Sequence, residues 1–230
     1  MKARQSQLFI LGAGGFGAEL LWIAQSIPRA ARPWELAGFL DDEPERAAAT
    51  LQQCGITLPV RGRIVDYHPV PGDCFVCAIG HPATKLRVCE LICARGGEFV
   101  NLIHPSAQIA PGATIGLGLV MSLHSLISVQ ARVGNFVTLN CMATVGHDTK
   151  IGDGCTLSSH CDITAYARLE RGVFLGSHAC ILPNVQIGAG STVGAGSVAT
   201  TAVRPGTTVF GVPARVLGGA RHSKPRVLRV

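Results

Sequence analysis

Charge and aromatic residues are both scarce in this chain of 230 residues: 15% are charged and 5% are aromatic. A low charge fraction suits a compact body with few exposed helices. No run of about 20 apolar residues occurs, so no membrane-spanning helix is expected. The opening MKARQSQLFILGAGGFG does not read as a signal peptide. Its apolar stretch is short and runs straight into glycines, and a cytoplasmic location is expected. No basic motif interleaved with aromatics is present, and a nucleic-acid partner is not expected. The net charge of +6 is local rather than global, because residues 211–230 contain Arg215, Arg221, Lys224, Arg226 and Arg229 and no acid. This basic tail could help hold phosphates or could simply be solvated.

Paired cysteine motifs are lacking too. The nine cysteines are odd in number, and Cys74-x-x-Cys77 lies inside the apolar run CFVCAIG, with no second pair at zinc spacing. They read as reduced, small core residues, and no metal is required.

Against these absences stands a strict repeat. Ile109, Ile115, Met121, Ile127, Val133, Leu139, Val145, Ile151, Leu157, Ile163, Leu169, Leu175, Ile181, Ile187 and Val193 recur every six residues. Neither a helix of period 3.6 nor a strand of period 2 gives this spacing. A hexapeptide period is the mark of a parallel β-helix. A β-sandwich with short strands would not keep phase for so long. Four residues after each aliphatic position stands a mostly small residue, from Ala113 to Ser197, expected to point inward at the corners. Glycine often follows the aliphatic position, as at Gly116, Gly134, Gly146, Gly152, Gly176, Gly188 and Gly194. There it is expected to take the strained dihedrals of tight turns. Three hexads make one coil, so residues eighteen apart stack, and residues 109–198 make five coils.

The preceding segment differs. Leu8–Leu11 reads as a buried strand, Gly12-Ala13-Gly14-Gly15-Phe16-Gly17 as a loop, and Ala18–Ser26 as a helix. Strands follow around Leu36–Leu40 and Cys74–Ile79, then a helix over Ala83–Ala94 and a strand over Phe99–Ile103. This is a βαβ pattern with parallel strands. The glycines at 12, 14 and 17 match G-x-G-x-x-G in its strand-loop-helix context, where backbone amides meet phosphate at a helix N-terminus. Asp41 and Asp42, after the second strand, stand where a carboxylate can meet a ribose hydroxyl. A full dinucleotide fold needs two such halves, and about 95 residues hold one. A nucleotide-sized ligand is therefore expected rather than NAD. A tight turn without ligand is the alternative.

The motifs GAGGFG, FLDD at 39–42, AIG at 78–80, NLIHPSA at 101–107, VGHDTKIG at 145–152, ILPN at 181–184 and FGVPAR at 210–215 together resemble the NeuD/PglD family of bacterial sugar acyltransferases. The resemblance runs from Leu8 to Leu217. It implies an α/β Rossmann-like half domain (1–103), an all-β left-handed parallel β-helix (104–217) and a basic tail (218–230). It further implies transfer of acetyl from acetyl-CoA to a nucleotide-linked amino sugar by a homotrimer, with active sites between subunits. His147 is then the general base and Asp148 orients its ring. Gly12, Gly14, Gly15, Phe16, Asp41, Asp42, Ile79, Gly80 and Asn140 are the expected sugar-nucleotide contacts. The expected acetyl-CoA contacts are Thr156, His160, Ala165 and His178, then Ala195, Gly196, Pro213, Ala214 and Arg215. Two positions depart from the family pattern: Phe16 and Thr156 stand where histidine is common.

Two rival functions remain open at this level. A sugar O-acetyltransferase needs the same base, and a noncatalytic nucleotide-sugar-binding scaffold needs none. A γ-class carbonic anhydrase would use three histidines on a β-helix. His124 and His160 have the spacing, but Ala165 stands at the third position, and catalytic zinc takes three protein ligands plus water.

Overall fold

The computed structural model describes residues 6–217; the sequence-predicted tail at 218–230 lies outside them. The chain opens with strand β1 (Ser6–Leu11), helix α1 (Gly15–Ser26), β2 (Trp34–Leu40), α2 (Pro44–Gln53), β3 (Asp73–Cys77), α3 (Pro82–Ala94) and β4 (Glu98–Phe99). The strands form one sheet in the order β2-β1-β3-β4, parallel throughout. Parallel strands are covered on both faces, and Leu8–Leu11 of β1 and all of β3 are accordingly buried.

Several boundaries differ from the sequence reading. Helix α1 begins at Gly15, inside the glycine loop, with Gly14 as its N-cap. Helix α2 had no expectation at all, because its segment PERAAATLQQ buries only Ala47 and Leu51. One helical turn of apolar contact is too little to set a period. The strand expected over Phe99–Ile103 is two strands: Glu98–Phe99 closes the N-terminal sheet, and Leu102–Ile103 opens the solenoid. Cys74 and Cys77 lie three apart on β3, so the alternation of a strand sends them to opposite faces. Each indeed packs in a different apolar cluster.

From Leu102 the chain winds as a triangular parallel β-helix. Its first face stacks strands 102–103, 120–121, 138–139, 156–157, 174–175, 192–193 and 208–210, closed by an antiparallel strand at 215–216. The second face carries 108–109, 126–127, 144–145, 162–163, 180–181 and 198–199. The third carries 114–115, 132–133, 150–151, 168–169 and 186–187. Every partner in register is eighteen residues away in the regular coils, as Arg132↔Lys150 and Thr138↔Thr156 illustrate. The aliphatic hexad positions from Met121 to Val193 and the small residues four positions later fill the interior, and nearly all are fully buried.

The corner chemistry corrects one expectation. The glycines directly after the aliphatic residues do not take left-handed dihedrals. The positive φ falls two positions later, at Gly112, Gly118, Gly154, Gly172, Gly190 and Gly196, and at His124, Gln130, Phe136, Met142, Asp148, His160, Tyr166, His178 and Asn184. Glycine after the aliphatic residue answers a different demand, the closeness of the next coil. A Cβ on Gly146 would sit 2.8 Å from the Ile163 carbonyl oxygen, and one on Gly176 would sit 2.5 Å from the Ala195 nitrogen.

The N-terminal domain rests on the first face. Leu102 and Val120 join the cluster of β1 and α1, while Phe136 joins that of β3 and α3. Phe99 and Phe136 meet edge to face, with centroids 5.0 Å apart. At Gly154, where φ is +68°, an added Cβ would run into the Leu86 side chain. This lets α3 lie directly on the coil.

Candidate active site

The solenoid's three edges distribute the chemistry. On the edge between the second and third faces, strand 144–145 ends, Gly146 turns, and His147 and Asp148 follow. Asp148 takes the left-handed position with φ 59°, a conformation a short polar side chain tolerates better than most. Its Oδ2 lies 2.9 Å from His147 Nδ1. The His147 side chain is about half exposed. With Nδ1 engaged by the carboxylate, Nε2 is the free ring nitrogen. Tyr166, eighteen residues after Asp148, sets its ring edge-on to the imidazole at a centroid distance of 5.2 Å. Its N–H donates to the His147 carbonyl at 3.1 Å. Ala165 sits directly above His147 on the same edge. Tyr166 escaped the sequence reading; its signal was its place one coil after Asp148, at the same corner register.

The edge between the first and second faces carries another group. His160 and His178 stack with centroids 4.6 Å apart and planes within 4°. Ala195 and Gly196 continue that column, and Asn140 lies on the same edge. The Asn140 Oδ1 is buried without a hydrogen-bond partner, so it is an acceptor open to a donor. The second face separates this edge from His147, so one chain does not unite the expected base with Asn140, His160 or His178. Among the described residues, no group of histidine, cysteine and acidic side chains could hold a metal ion.

Thr156 is corrected outright. It is 2% exposed, its hydroxyl donates to the Gly80 carbonyl at 2.8 Å, and it accepts from the Lys85 ammonium at 2.8 Å. It lies under the N-terminal domain, against Gly80 and Lys85. Lys85, unremarked in the sequence, also donates to Thr138 Oγ1 and to the Cys155 carbonyl, both at 3.0 Å. Burial pulls its ammonium down to about 8. It occupies the buried stripe of α3 with Leu86, Cys89 and Ile92, a polar residue at an apolar register.

The glycine loop builds a second site. Gly12 turns with φ +97° against the Ala78 carbonyl, and a Cβ on Gly17 would sit 2.3 Å from the Gly12 oxygen. Gly17 thus lets α1 close on β1, the packing role of a third fingerprint glycine. Asp41 clamps the loop: Oδ2 accepts from Ala13 N at 2.8 Å and Oδ1 from Glu43 N at 2.9 Å. Asp42 Oδ1 accepts from Val65 N at 3.0 Å. Ala13, Gly14, Gly15, Asp41, Asp42, Glu43, Arg46, Ala47 and Thr50 line an open cavity of 460 Å³. Its floor is the N-terminus of α1, whose first turn has no acidic residue and no side-chain cap. Such an end favours an anion.

Phe16, Gly12, Ile79 and Gly80 stand apart from that cavity. Phe16 packs into the apolar cluster that joins the domains, and Ile79 packs against the apolar cluster of β3 and α3. Gly80 borders a different cleft of 470 Å³ shared with His81, Pro82, Phe174 and Thr192. At the far end of the solenoid, Ala214 and Arg215 border a 380 Å³ cavity with Arg204 and Thr207. Pro213 precedes them, and Ala195 and Gly196 are not part of that lining.

Residues 7–92 match the family model of the PglD N-terminal domain. Residues 166–200 match the bacterial transferase hexapeptide model (six repeats). The acetyltransferase domain of PglB from Neisseria gonorrhoeae FA1090 is 27% identical, with 92% of this chain and 99% of that one covered and a TM-score of 0.79. WeeI from Acinetobacter baumannii AYE is 25% identical, covering 92% and 100%, with a TM-score of 0.78. PerB from Caulobacter crescentus, solved with CoA and GDP-perosamine, shares the fold at 24% identity, covering 95% and 100%, with a TM-score of 0.82. An α/β domain docked on a hexapeptide solenoid, with a His-Asp pair on a solenoid edge, defines a hexapeptide-repeat acyltransferase. The chain thus carries a PglD N-terminal domain and a bacterial transferase hexapeptide repeat, it is similar over nearly its whole length to sugar acetyltransferases of that build, and its solenoid is a left-handed β-helix.

Proposed function

We propose that this protein transfers the acetyl group of acetyl-CoA to the amino group of a nucleotide-linked sugar, with His147 as general base. The observation that carries the reading is the 2.9 Å contact of His147 Nδ1 with Asp148, which leaves Nε2 free at a solvent-facing edge. The PglB domain, 27% identical, was solved in complex with acetyl coenzyme A, which supports the acyl donor. The cavity at the α1 N-terminus supports a phosphate-bearing acceptor.

In this mechanism the neutral amine attacks the thioester carbonyl carbon and a C–N bond forms. The C–S bond breaks as the tetrahedral adduct collapses. Nε2 takes the proton leaving nitrogen and returns it to the departing thiolate. Asp148 holds the ring in the tautomer with Nδ1–H and stabilises its cationic form, the part a carboxylate plays behind a catalytic histidine. No acyl-enzyme is required.

A homotrimer follows from the same reading. His147 and the His160–His178 edge lie on different corners of one prism, and a neighbouring copy would bring the second against the first. The test is thiol release from acetyl-CoA with a panel of UDP-, GDP- and dTDP-linked amino sugars. No release above background with any of them would overturn the proposal.

A further inference from the structure

The third face of the solenoid carries an unexplained charge array. Arg132, Lys150 and Arg168 are in-register partners on adjacent strands, and all three are exposed. Neighbouring strands lie about 4.8 Å apart, so three cations stack at that rung spacing. Like charges directly opposite on a sheet are destabilising. Among the described residues, none of the three side chains forms an ion pair or hydrogen bond. Thr114 and Gln186 flank the ladder at its two ends. The acid nearest in the lining, Glu170, is already engaged: Oε1 accepts from Gln186 and Oε2 from Ala189 N.

The ladder also has a shape. Arg132, Lys150 and Arg168 border a shallow groove of 450 Å³ whose floor is Val133, Gly134, Ile151, Gly152 and Leu169. Gly134 and Gly152 keep that floor bare. The groove begins three residues after His147, since Lys150 follows it on the same coil. Asp148 turns its Oδ2 to His147 Nδ1 at 2.9 Å, and it makes no ion pair with any of the three cations.

We infer that the Arg132–Lys150–Arg168 ladder is a binding groove for a diphosphate group beside the catalytic edge. Two rungs at strand spacing face two adjacent phosphoryl groups, and the guanidiniums can make charge-assisted, bidentate contacts to phosphate oxygens. This inference rests on the proposed transferase reading, in which both substrates, CoA and a nucleotide-linked sugar, carry this same chemical group. It moves the phosphate contact expected at Arg215 to the face that adjoins His147.

The experiment is titration calorimetry of the wild type and of the Arg132→Gln, Lys150→Gln, Arg168→Gln triple variant. The probes are CoA, UDP and GDP, with pantetheine, uridine and guanosine as phosphate-free controls. The triple variant is expected to lose about tenfold or more in affinity for CoA or for the nucleoside diphosphates, as loss of hydrogen bonds to charged groups implies. The phosphate-free controls are expected to bind both proteins alike, and the class of ligand affected identifies the source of the diphosphate. Lys150→Arg alone is expected to keep wild-type affinity. Wild-type affinity of the triple variant for all three diphosphates would make the ladder a solvated surface and overturn the inference, leaving the transferase reading standing. Failure of the wild type to bind any of them would remove both.

Discussion

The Lys85 ammonium lies 2.8 Å from Thr156 Oγ1, and that hydroxyl in turn donates to the Gly80 carbonyl. One buried cation thereby ties α3 of the N-terminal domain to two coils of the solenoid. Its partners are neutral oxygens. Lys85→Met keeps the length of the side chain but takes the ammonium from the buried Thr138 and Thr156 hydroxyls, while the Cys155 carbonyl keeps the Thr138 N–H. Unmet buried polar groups cost about 1–3 kcal/mol. The variant is expected to show a lower denaturation midpoint, read by urea titration.

His147→Ala is expected to lower kcat about 10²–10⁴-fold, the usual loss for a general base, while the fold persists because the side chain is half exposed. Asp148→Asn should cost less, since the ring remains but its tautomer is less firmly held. A steady-state assay with acetyl-CoA checks both. Activity of His147→Ala above about a tenth of wild type would exclude the base assignment.

Two glycines of one loop should part company. Nothing lies within 4 Å of a Cβ built on Gly14, whereas Gly17 meets the Gly12 oxygen at 2.3 Å. Gly14→Leu is expected to fold normally, fill the cavity and raise KM for the sugar nucleotide, with that for acetyl-CoA nearly unchanged. Gly17→Ala is expected to destabilise the N-terminal domain. Thermal unfolding and KM measurements separate the two outcomes.

Stability should fall in mild alkali. Burial pushes the Cys74 and Cys155 thiols up to about 11 and Cys161 up to about 12, from an ordinary value of 9.0. A group raised on folding adds stability that is complete below its unfolded value and is lost as pH climbs through its folded one. These thiols therefore withdraw support between about pH 9 and 12. Lys85, lowered from 10.5 to about 8, works the other way within that narrower window. The thiols outnumber it, so the urea midpoint should be lower at pH 10 than at pH 8. A Cys155→Ala, Cys161→Ala variant leaves one of these thiols against Lys85 and should lose the decline between pH 8 and 10.

The cation ladder predicts a gain from a loss. Replacing the middle rung, Lys150→Gln, removes like-charge repulsion from both neighbours at once. The ligand-free protein is expected to melt at a higher temperature, and the gain should shrink as salt is added.

Sequence alone determined the solenoid. A six-residue period carried from Ile109 to Val193 leaves one backbone able to bury every aliphatic position, because each coil repeats the contacts of the last. The glycine fingerprint was equally legible, since strand, turn and helix are local. Tertiary structure decided everything that depends on which edge a residue occupies and on what covers it. Residues one coil apart stack, as His160 and His178 do, whereas residues a hexad or two apart, as Asn140 and His147 are, face different corners. Thr156 has the chemistry of a ligand contact and the position of a strut, because the N-terminal domain lies over its face. Gly146 and Gly176 are required by the nearness of the next coil rather than by their own dihedrals, and no local pattern distinguishes these two demands. Lys85 looked like one more helical lysine until the docking of α3 buried it, since its burial is set by residues more than fifty positions away.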